Sequence, residues 1–156
     1  MNSLQDILKD IQERRFSPVY FLMGAESYFI DRIEKELYHS VVTEKERAFN
    51  QSILYGKDTT VDQILDAAKR FPMMAEYQLV IVREAQELSR VIDQLESYVS
   101  NSQPSTVLVV CYKYKSIDKR KKLYKAFFAY QLICTCNKRQ ELLMLGDCLH
   151  SSPTDQ

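Results

Sequence analysis

The sequence predicts an α/β domain of three layers, in which helices cover both faces of a mostly parallel sheet. Residues 19–22, 79–82 and 107–111 form apolar runs of strand length. Strands that are apolar at every position are buried on both faces, which is typical of a parallel sheet between helices. Segments with helical spacing alternate with these runs, as the same architecture requires.

The first predicted helix begins at Ser3, whose side chain can cap it together with Asp6. Pro18 is predicted to end this helix before the first strand. Ser27 is predicted to cap the second helix, and a weaker strand is predicted at residues 50–55. The inner faces of the two helices are predicted to carry Leu4, Ile7, Leu8 and Ile11, and then Phe29, Ile30, Ile33, Leu37 and Val41.

Thr60 is predicted to cap a third helix, which Pro72 stops. A fourth helix is predicted between the strands at residues 79–82 and 107–111, and the last clear helix at residues 118–128. Their predicted inner faces are Val61, Ile64, Leu65 and Ala68, then Val91, Ile92, Leu95, Tyr98 and Val99, and finally Leu123, Tyr124, Phe127 and Phe128.

The pattern weakens after about residue 130. Residues 131–134 have the character of a fifth strand, and residues 138–150 that of a short helix. We expect residues 1–136 to form one domain and residues 137–156 to be a poorly ordered tail, with loose packing from about Cys134 onward.

Composition indicates one ordinary globular domain. The chain has 156 residues, of which 46% are apolar and 27% charged, and its formal net charge is zero. Any contact with DNA must therefore come from a local patch. No apolar run approaches the roughly 20 residues of a membrane helix, and the N-terminus lacks the pattern of a signal peptide. We expect a cytoplasmic protein without membrane contact.

Residues 23–29 stand where a phosphate-binding loop would follow the first strand. They keep Gly24, but they lack a second glycine and the GK[ST] ending, and Glu26 brings a negative charge. Nucleotide sites of this class place a magnesium-binding Asp after an apolar strand, where this chain has Arg83 and then Glu84. We interpret these two residues as a solvated strand end and predict no bound nucleotide.

Other catalytic or metal sites are not indicated. The two histidines, His39 and His150, have no partners at catalytic spacing, and no GxSxG motif occurs. Cysteine spacing does not fit a zinc or redox pair, so free thiols are expected at Cys111, Cys134, Cys136 and Cys148. We predict no catalytic, cofactor-binding or metal-binding residues.

Three stretches of the sequence carry a resemblance to a known protein family. Residues 18–30 contain a Pro-Val-Tyr strand followed by Gly, Glu, an aromatic and an aliphatic residue. Residues 71–85 match the end of the family's third helix and its third strand, and residues 119–126 match a basic helix. Together these stretches resemble the delta subunit family of bacterial DNA polymerase III. The resemblance covers about residues 1–130 and implies an AAA+-like (RecA-like) domain with a degenerate phosphate loop.

The resemblance implies a clamp-loader subunit that binds the ring-shaped sliding clamp (beta subunit) and helps to open it during DNA replication. Such a subunit would hydrolyse no ATP itself, although the whole polymerase III holoenzyme is a nucleotidyltransferase. Further partners would be the gamma/tau and delta prime subunits, largely through a helical lid and collar that follow this domain in the family. This sequence stops before both and loses the resemblance after residue 130, which a truncation or a frameshift would explain.

The loop at residues 71–74 is the first candidate site. By position, Met73 and Met74 match the apolar pair that the family inserts into a hydrophobic pocket of the clamp, and Phe71 and Pro72 complete the loop. Methionine suits this role because its side chain is unbranched and polarizable. The alternative is that both methionines pack beneath the loop against the sheet.

A basic stretch is the second candidate site. Its cations are Lys113, Lys115, Lys119, Arg120, Lys121, Lys122 and Lys125, and Asp118 is the acid among them. We predict contact with DNA or a neighbouring subunit through Lys119, Arg120, Lys121, Lys122 and Lys125; the alternative is a solvated face. Two other functions stay open: a P-loop-like NTPase with an unusual loop, and a DNA-binding module that uses this helix.

Overall fold

The computed structural model describes residues 3–129 and the backbone of residues 133–136. The described residues contain a five-stranded sheet in the order β2-β3-β4-β1-β5, with every pair of neighbouring strands parallel. The strands are β1 (Val19–Gly24), β2 (Gln51–Tyr55), β3 (Gln78–Arg83), β4 (Thr106–Lys113) and β5 (Ile133–Cys136).

The helices in this part of the chain are α1 (Leu4–Gln12), α2 (Ser27–Ser40), α3 (Arg47–Asn50), α4 (Val61–Ala68), α5 (Glu96–Ser100) and α6 (Lys122–Ala129). Two 3₁₀ turns, Ala85–Leu88 and Ile92–Leu95, precede α5. No helix within the described ranges has both the length and the apolar character needed to cross a membrane.

The core lies in two layers on opposite faces of the sheet, which confirms the predicted three-layer α/β fold. Successive residues of a strand point to opposite faces, so Phe21 packs into one layer and Leu22 into the other. The first layer is closed by α4, α5 and α6, and the second by α1 and α2. The three central strands β1, β3 and β4 are buried along almost their whole length, as their apolar runs predict.

Two of the three predicted helix caps are confirmed. Ser3 with Asp6, and Thr60 with Gln63, form reciprocal capping boxes at the starts of α1 and α4. The prediction for Ser27 was wrong: Glu26 holds the cap position without a side-chain hydrogen bond, and Ser27 is the first helical residue.

Other element predictions need correction. The predicted fourth helix is two 3₁₀ turns and the short α5, and Val91 is exposed. The last helix begins at Lys122 rather than at residue 118, and Phe128 is 55% exposed. Asn50 ends the short helix α3, which was not predicted, and does not belong to β2. Helix α1 ends at Gln12 and α4 at Ala68, so neither Pro18 nor Pro72 is the residue that ends the helix before it.

The fifth strand lies two residues later than predicted and pairs with β1. Cys134 and Cys136 are therefore part of the sheet, and the expectation of loose packing from Cys134 was wrong for these residues. The predicted helix at 138–150 and the predicted tail at 137–156, which include Cys148 and His150, lie outside the described residues.

Candidate functional site

The loop at residues 71–74, called here the apolar loop, projects its large side chains into solvent. Phe71 is 78% exposed, Met73 62% and Met74 102%. The two methionines therefore do not pack beneath the loop against the sheet, so that alternative is wrong. Because the apolar loop precedes β3, it lies at the amino edge of the parallel sheet. Whether it binds a partner stays a prediction.

The buried side chain of Asn50 supports the apolar loop by binding its backbone. Only 3% of Asn50 is exposed. The backbone N–H of Met73 donates to Asn50 Oδ1 at 2.6 Å, and Asn50 Nδ2 donates to the Met73 carbonyl at 2.9 Å. One amide thus pairs with both backbone groups of Met73. Phe49, next to Asn50 on α3, is 72% exposed and adds an apolar side chain near this support.

The start of the apolar loop is anchored by two glutamines. Gln78 at the beginning of β3 donates to the carbonyl oxygens of Ala67 (3.1 Å) and Ala68 (3.3 Å). Gln103 donates to the Arg70 carbonyl at 2.7 Å, and Gln78 bonds the same oxygen. A helix leaves its last carbonyls without helical partners, and these side chains satisfy them. The chain therefore enters the apolar loop from a fixed point.

Met74 adopts a left-handed backbone conformation, with φ at 54°. A side chain with a Cβ is disfavoured there by about 1–2 kcal/mol relative to ordinary helical geometry. Such a conformation persists where the surroundings determine it. The fixed backbone of Met73 and the start of β3 at Gln78 are the restraints on its two sides.

The opposite, carboxyl edge of the sheet holds the segment that would bind phosphates in a nucleotide site. Strand β1 ends at Gly24 and α2 begins at Ser27, so only Ala25 and Glu26 lie between them. Gly24 has φ at 145°, a conformation that favours glycine, and its carbonyl accepts from the Tyr114 N–H at 2.9 Å. A two-residue connection leaves no length for a backbone that curls around phosphates.

Arg83, at the position of the magnesium-binding acid, is bound to the protein itself. Its Nε lies 2.5 Å from Glu34 Oε1 on α2, and its Nη1 lies 3.2 Å from the Tyr55 hydroxyl. Burial alone would lower the pKa of Arg83, but the hydrogen bonds that Arg83 donates to Glu34 and Tyr55 outweigh it and raise the pKa. The interpretation of Arg83 as part of a solvated strand end was therefore wrong.

A second ion pair joins α2 to the end of β4. Lys113 Nζ lies 2.7 Å from Asp31 Oδ1 and 3.7 Å from Glu84 Oε1. Burial would lower the pKa of Lys113, but the hydrogen bond that Lys113 donates to Asp31 outweighs it and raises the pKa overall. Glu84, like Arg83, is thus not a merely solvated residue.

These pairs line an open cleft of about 370 Å³ whose charges largely neutralise one another. Beneath it, burial and the nearby Glu34 carboxylate raise the pKa of the Cys111 thiol well above its usual value. A protonated, fully buried thiol is a poor nucleophile. The residues that line the cleft are Asp31, Glu34, Lys35, Tyr38, Tyr55, Arg83, Glu84 and Lys113.

Comparison with known proteins decides the family. Residues 20–137 match the family model described as "DNA polymerase III, delta subunit". The chain belongs to the DNA polymerase III delta subunit family. This match reaches beyond residue 130, where the resemblance was expected to end.

Two proteins from Bacillus subtilis support the assignment to the delta family. DNA polymerase III subunit delta of strain 168 is 32% identical over an alignment of 130 residues that covers 78% of this chain and 38% of that protein. The solved structure of the DNA clamp loader delta protein matches with a TM-score of 0.75 and 27% identity, over 85% of this chain and 42% of that one. The chain therefore spans about two fifths of the length of these delta-family relatives.

A more distant structure shows the same fold. A DNA polymerase III gamma subunit-related protein from Thermotoga maritima matches with a TM-score of 0.55 and 12% identity, over 87% of this chain and 46% of that chain. At this identity the likeness concerns the fold alone. It indicates that the delta-family domain shares its architecture with gamma-like proteins.

The basic stretch of this delta-family domain is only partly free. Lys121 Nζ lies 2.9 Å from Asp93 Oδ2, and Arg120 pairs with Asp118 at 2.7 Å. The hydrogen bonds from Arg120 lower the pKa of Asp118 to about 2. Asp93, which comes from a separate 3₁₀ turn, was missed as a neighbouring acid because it is distant in sequence.

Three of the predicted contact lysines remain available in the basic stretch. Lys119, Lys122 and Lys125 are exposed and have no ion pair among the residues that the structure describes. Lys113, in contrast, is turned into the cleft and does not belong to this face. Contact with DNA or another subunit through the basic stretch stays a prediction.

Proposed function

We propose that this delta-family domain is a clamp-loader subunit domain that binds the sliding clamp through the apolar loop and helps to open it during replication. It acts through protein contacts and hydrolyses no ATP itself. The observation that carries the proposal is the exposure of Phe71, Met73 and Met74 on one loop with fixed support. The similar Bacillus subtilis structure is described as a DNA clamp loader delta protein, which supports it.

Exposed apolar side chains on a short, anchored loop fit a protein-binding role. Isolated apolar side chains are common on surfaces, but three large ones in four residues form a compact patch. Interfaces draw most of their free energy from a few such residues. The clamp pocket that receives them would be hydrophobic, because the loop between Phe71 and Met74 carries no charge.

Further partners of the proposed subunit are the gamma/tau and delta prime subunits of the clamp loader. DNA is a further candidate, through Lys119, Lys122 and Lys125. These lysines are exposed and have no ion pair in the described structure. Lysine binds DNA phosphates through its positive charge.

The double substitution Met73→Ala, Met74→Ala tests the proposal. Burial of one methionine in an apolar pocket contributes about 1.5–3 kcal/mol. Loss of both is expected to weaken binding to the source organism's sliding clamp by about a hundredfold or more, since ~1.4 kcal/mol is tenfold. Thermal unfolding should change little, because both side chains are exposed. Binding is measured with immobilised clamp and folding by circular dichroism.

Tyr28→Ala provides the matched control. Tyr28 is also a large, exposed side chain, but it lies on α2 at the opposite edge of the sheet. Its replacement should leave clamp affinity within about twofold of the parent, as expected for a residue outside the interface. Unchanged affinity of the methionine variant, or equal loss in the Tyr28 variant, would contradict the proposal.

A further inference from the structure

The contact between Asn50 and Met73 joins two segments that are 23 residues apart. Asn50 is the last residue of α3, and β2 begins at the next residue. Gln51 pairs with Leu79 in the parallel ladder between β2 and β3. Because the apolar loop leads into β3, the support and the loop are fixed to adjacent strands of the same sheet.

The geometry of this contact controls the backbone rather than the side chain of Met73. Asn50 uses its amide donor and its amide acceptor on the carbonyl and the N–H of the same residue. The single N–H of Met73 is thereby used, and its carbonyl has one of its two lone pairs occupied. The Met73 side chain is consequently directed outward, and the chain continues through the left-handed Met74.

A binding loop that is already in shape loses less conformational freedom when it binds. Ordering of backbone and side chains opposes association, and preorganisation reduces that cost. The side chains of Met73 and Met74 are flexible and must stay free to contact a partner. The loop can therefore be preorganised only through its backbone.

We propose that Asn50 is a positioning residue, which holds the apolar loop in its partner-binding shape and thereby strengthens clamp binding without touching the clamp. This inference rests on the proposed function of the apolar loop. Sequence alone gave no sign of it, because Asn50 lies in a segment that was assigned to the weak second strand.

The test compares Asn50→Ala with the matched control Asn101→Ala, an exposed asparagine at the end of α5. Clamp affinity is measured with immobilised clamp, amide exchange by NMR, and folding by thermal melting, each on the whole chain. Asn50→Ala should weaken clamp binding about tenfold, since two hydrogen bonds are lost. The Met73 amide should exchange at least about tenfold faster. Asn101→Ala should change neither quantity.

A purely structural role is separated by a double-mutant cycle with Met73→Ala, Met74→Ala. If Asn50 acts through the loop, its replacement should weaken binding by less than about twofold once the methionines are gone. An undiminished tenfold effect in that background would overturn the proposal. Because Asn50 is buried, Asn50→Asp is the second variant: it keeps the size, but its carboxylate has no donor and repels the Met73 carbonyl, so in a folded protein it should weaken clamp binding at least as much as Asn50→Ala.

The outcomes distinguish the two proposals. If the methionine variant binds the clamp as well as the parent does, the function proposed for the loop fails. If the methionine variant loses binding while both Asn50 variants keep it, despite rapid exchange at Met73, then only the positioning role fails. If the Met73 amide stays protected in Asn50→Ala, the contact does not hold the loop, and the inference is again overturned.

Discussion

Replacement of Arg83 by methionine is expected to destabilise the fold more than replacement of its partner Glu34 by alanine. The asymmetry follows from burial: the Glu34 side chain is 9% exposed, whereas that of Arg83 is 35% exposed. Without Arg83, the carboxylate of Glu34 remains inside the protein with the Cys111 thiol, 3.8 Å away, as a weak donor. Without Glu34, the guanidinium can turn to water and keep its contact with Tyr55.

The expected magnitudes differ accordingly. Loss of one partner of a buried ion pair costs about 3–5 kcal/mol, and partial exposure of this pair places Arg83→Met near the lower end of that range. Glu34→Ala is expected to cost about 1 kcal/mol, closer to an exposed pair. The double variant Glu34→Leu, Arg83→Met removes both charges and should recover much of the stability that Arg83→Met loses.

Urea denaturation followed by circular dichroism measures these free energies of unfolding. Lys121→Met is the matched control, since it breaks the exposed pair with Asp93 and should cost no more than about 1 kcal/mol. An Arg83→Met variant that is as stable as Glu34→Ala would refute the argument from burial. So would a double variant that is less stable than Arg83→Met.

Two further predictions concern the same edge of the sheet. Gly56→Ala should lower the free energy of unfolding by about 2–3 kcal/mol or abolish folding, because the new Cβ would lie 2.2 Å from the Glu84 backbone oxygen. The backbone cannot easily move away, since the Gly56 N–H donates to the Arg83 carbonyl at 2.8 Å. Stability close to that of the parent in urea denaturation would disprove this close approach. Titration calorimetry with magnesium-ATP should give no saturable heat, since the two-residue connection between β1 and α2 cannot cradle phosphates and Arg83 occupies the magnesium-side position; micromolar binding would show that the cleft accepts nucleotide.

Sequence patterns correctly predicted the strands and helix caps that depend on neighbouring residues or on local composition. The central strands β1, β3 and β4 were predicted because burial on both faces requires apolar residues throughout. The caps at Ser3 and Thr60 were predicted because a helix cap depends only on residues within the first turn. The segment at 91–99 was misassigned because apolar spacing of three and four residues also fits successive 3₁₀ turns.

Of the candidate site, only the part that lies on one continuous segment of sequence was predicted. Pro72 and the resemblance located the apolar loop, and the structure shows its side chains exposed. The contact of Asn50 with Met73 spans 23 residues, and that of Arg83 with Glu34 spans 49. Such pairs depend on which strands become neighbours, and no local pattern in one sequence encodes them.

The ion pairs in the cleft have a consequence for how the domain responds to its surroundings. A protein that is stabilised by a bound nucleotide unfolds more readily when the nucleotide is scarce, because ligand binding adds to stability by mass action. In this domain, Asp31 and Glu34 receive their positive partners from Lys113 and Arg83 of the same chain. Because these partners belong to the same chain, α2 is held to the sheet without a bound ligand. The stability of the domain is therefore expected not to depend on the cellular concentration of nucleotide.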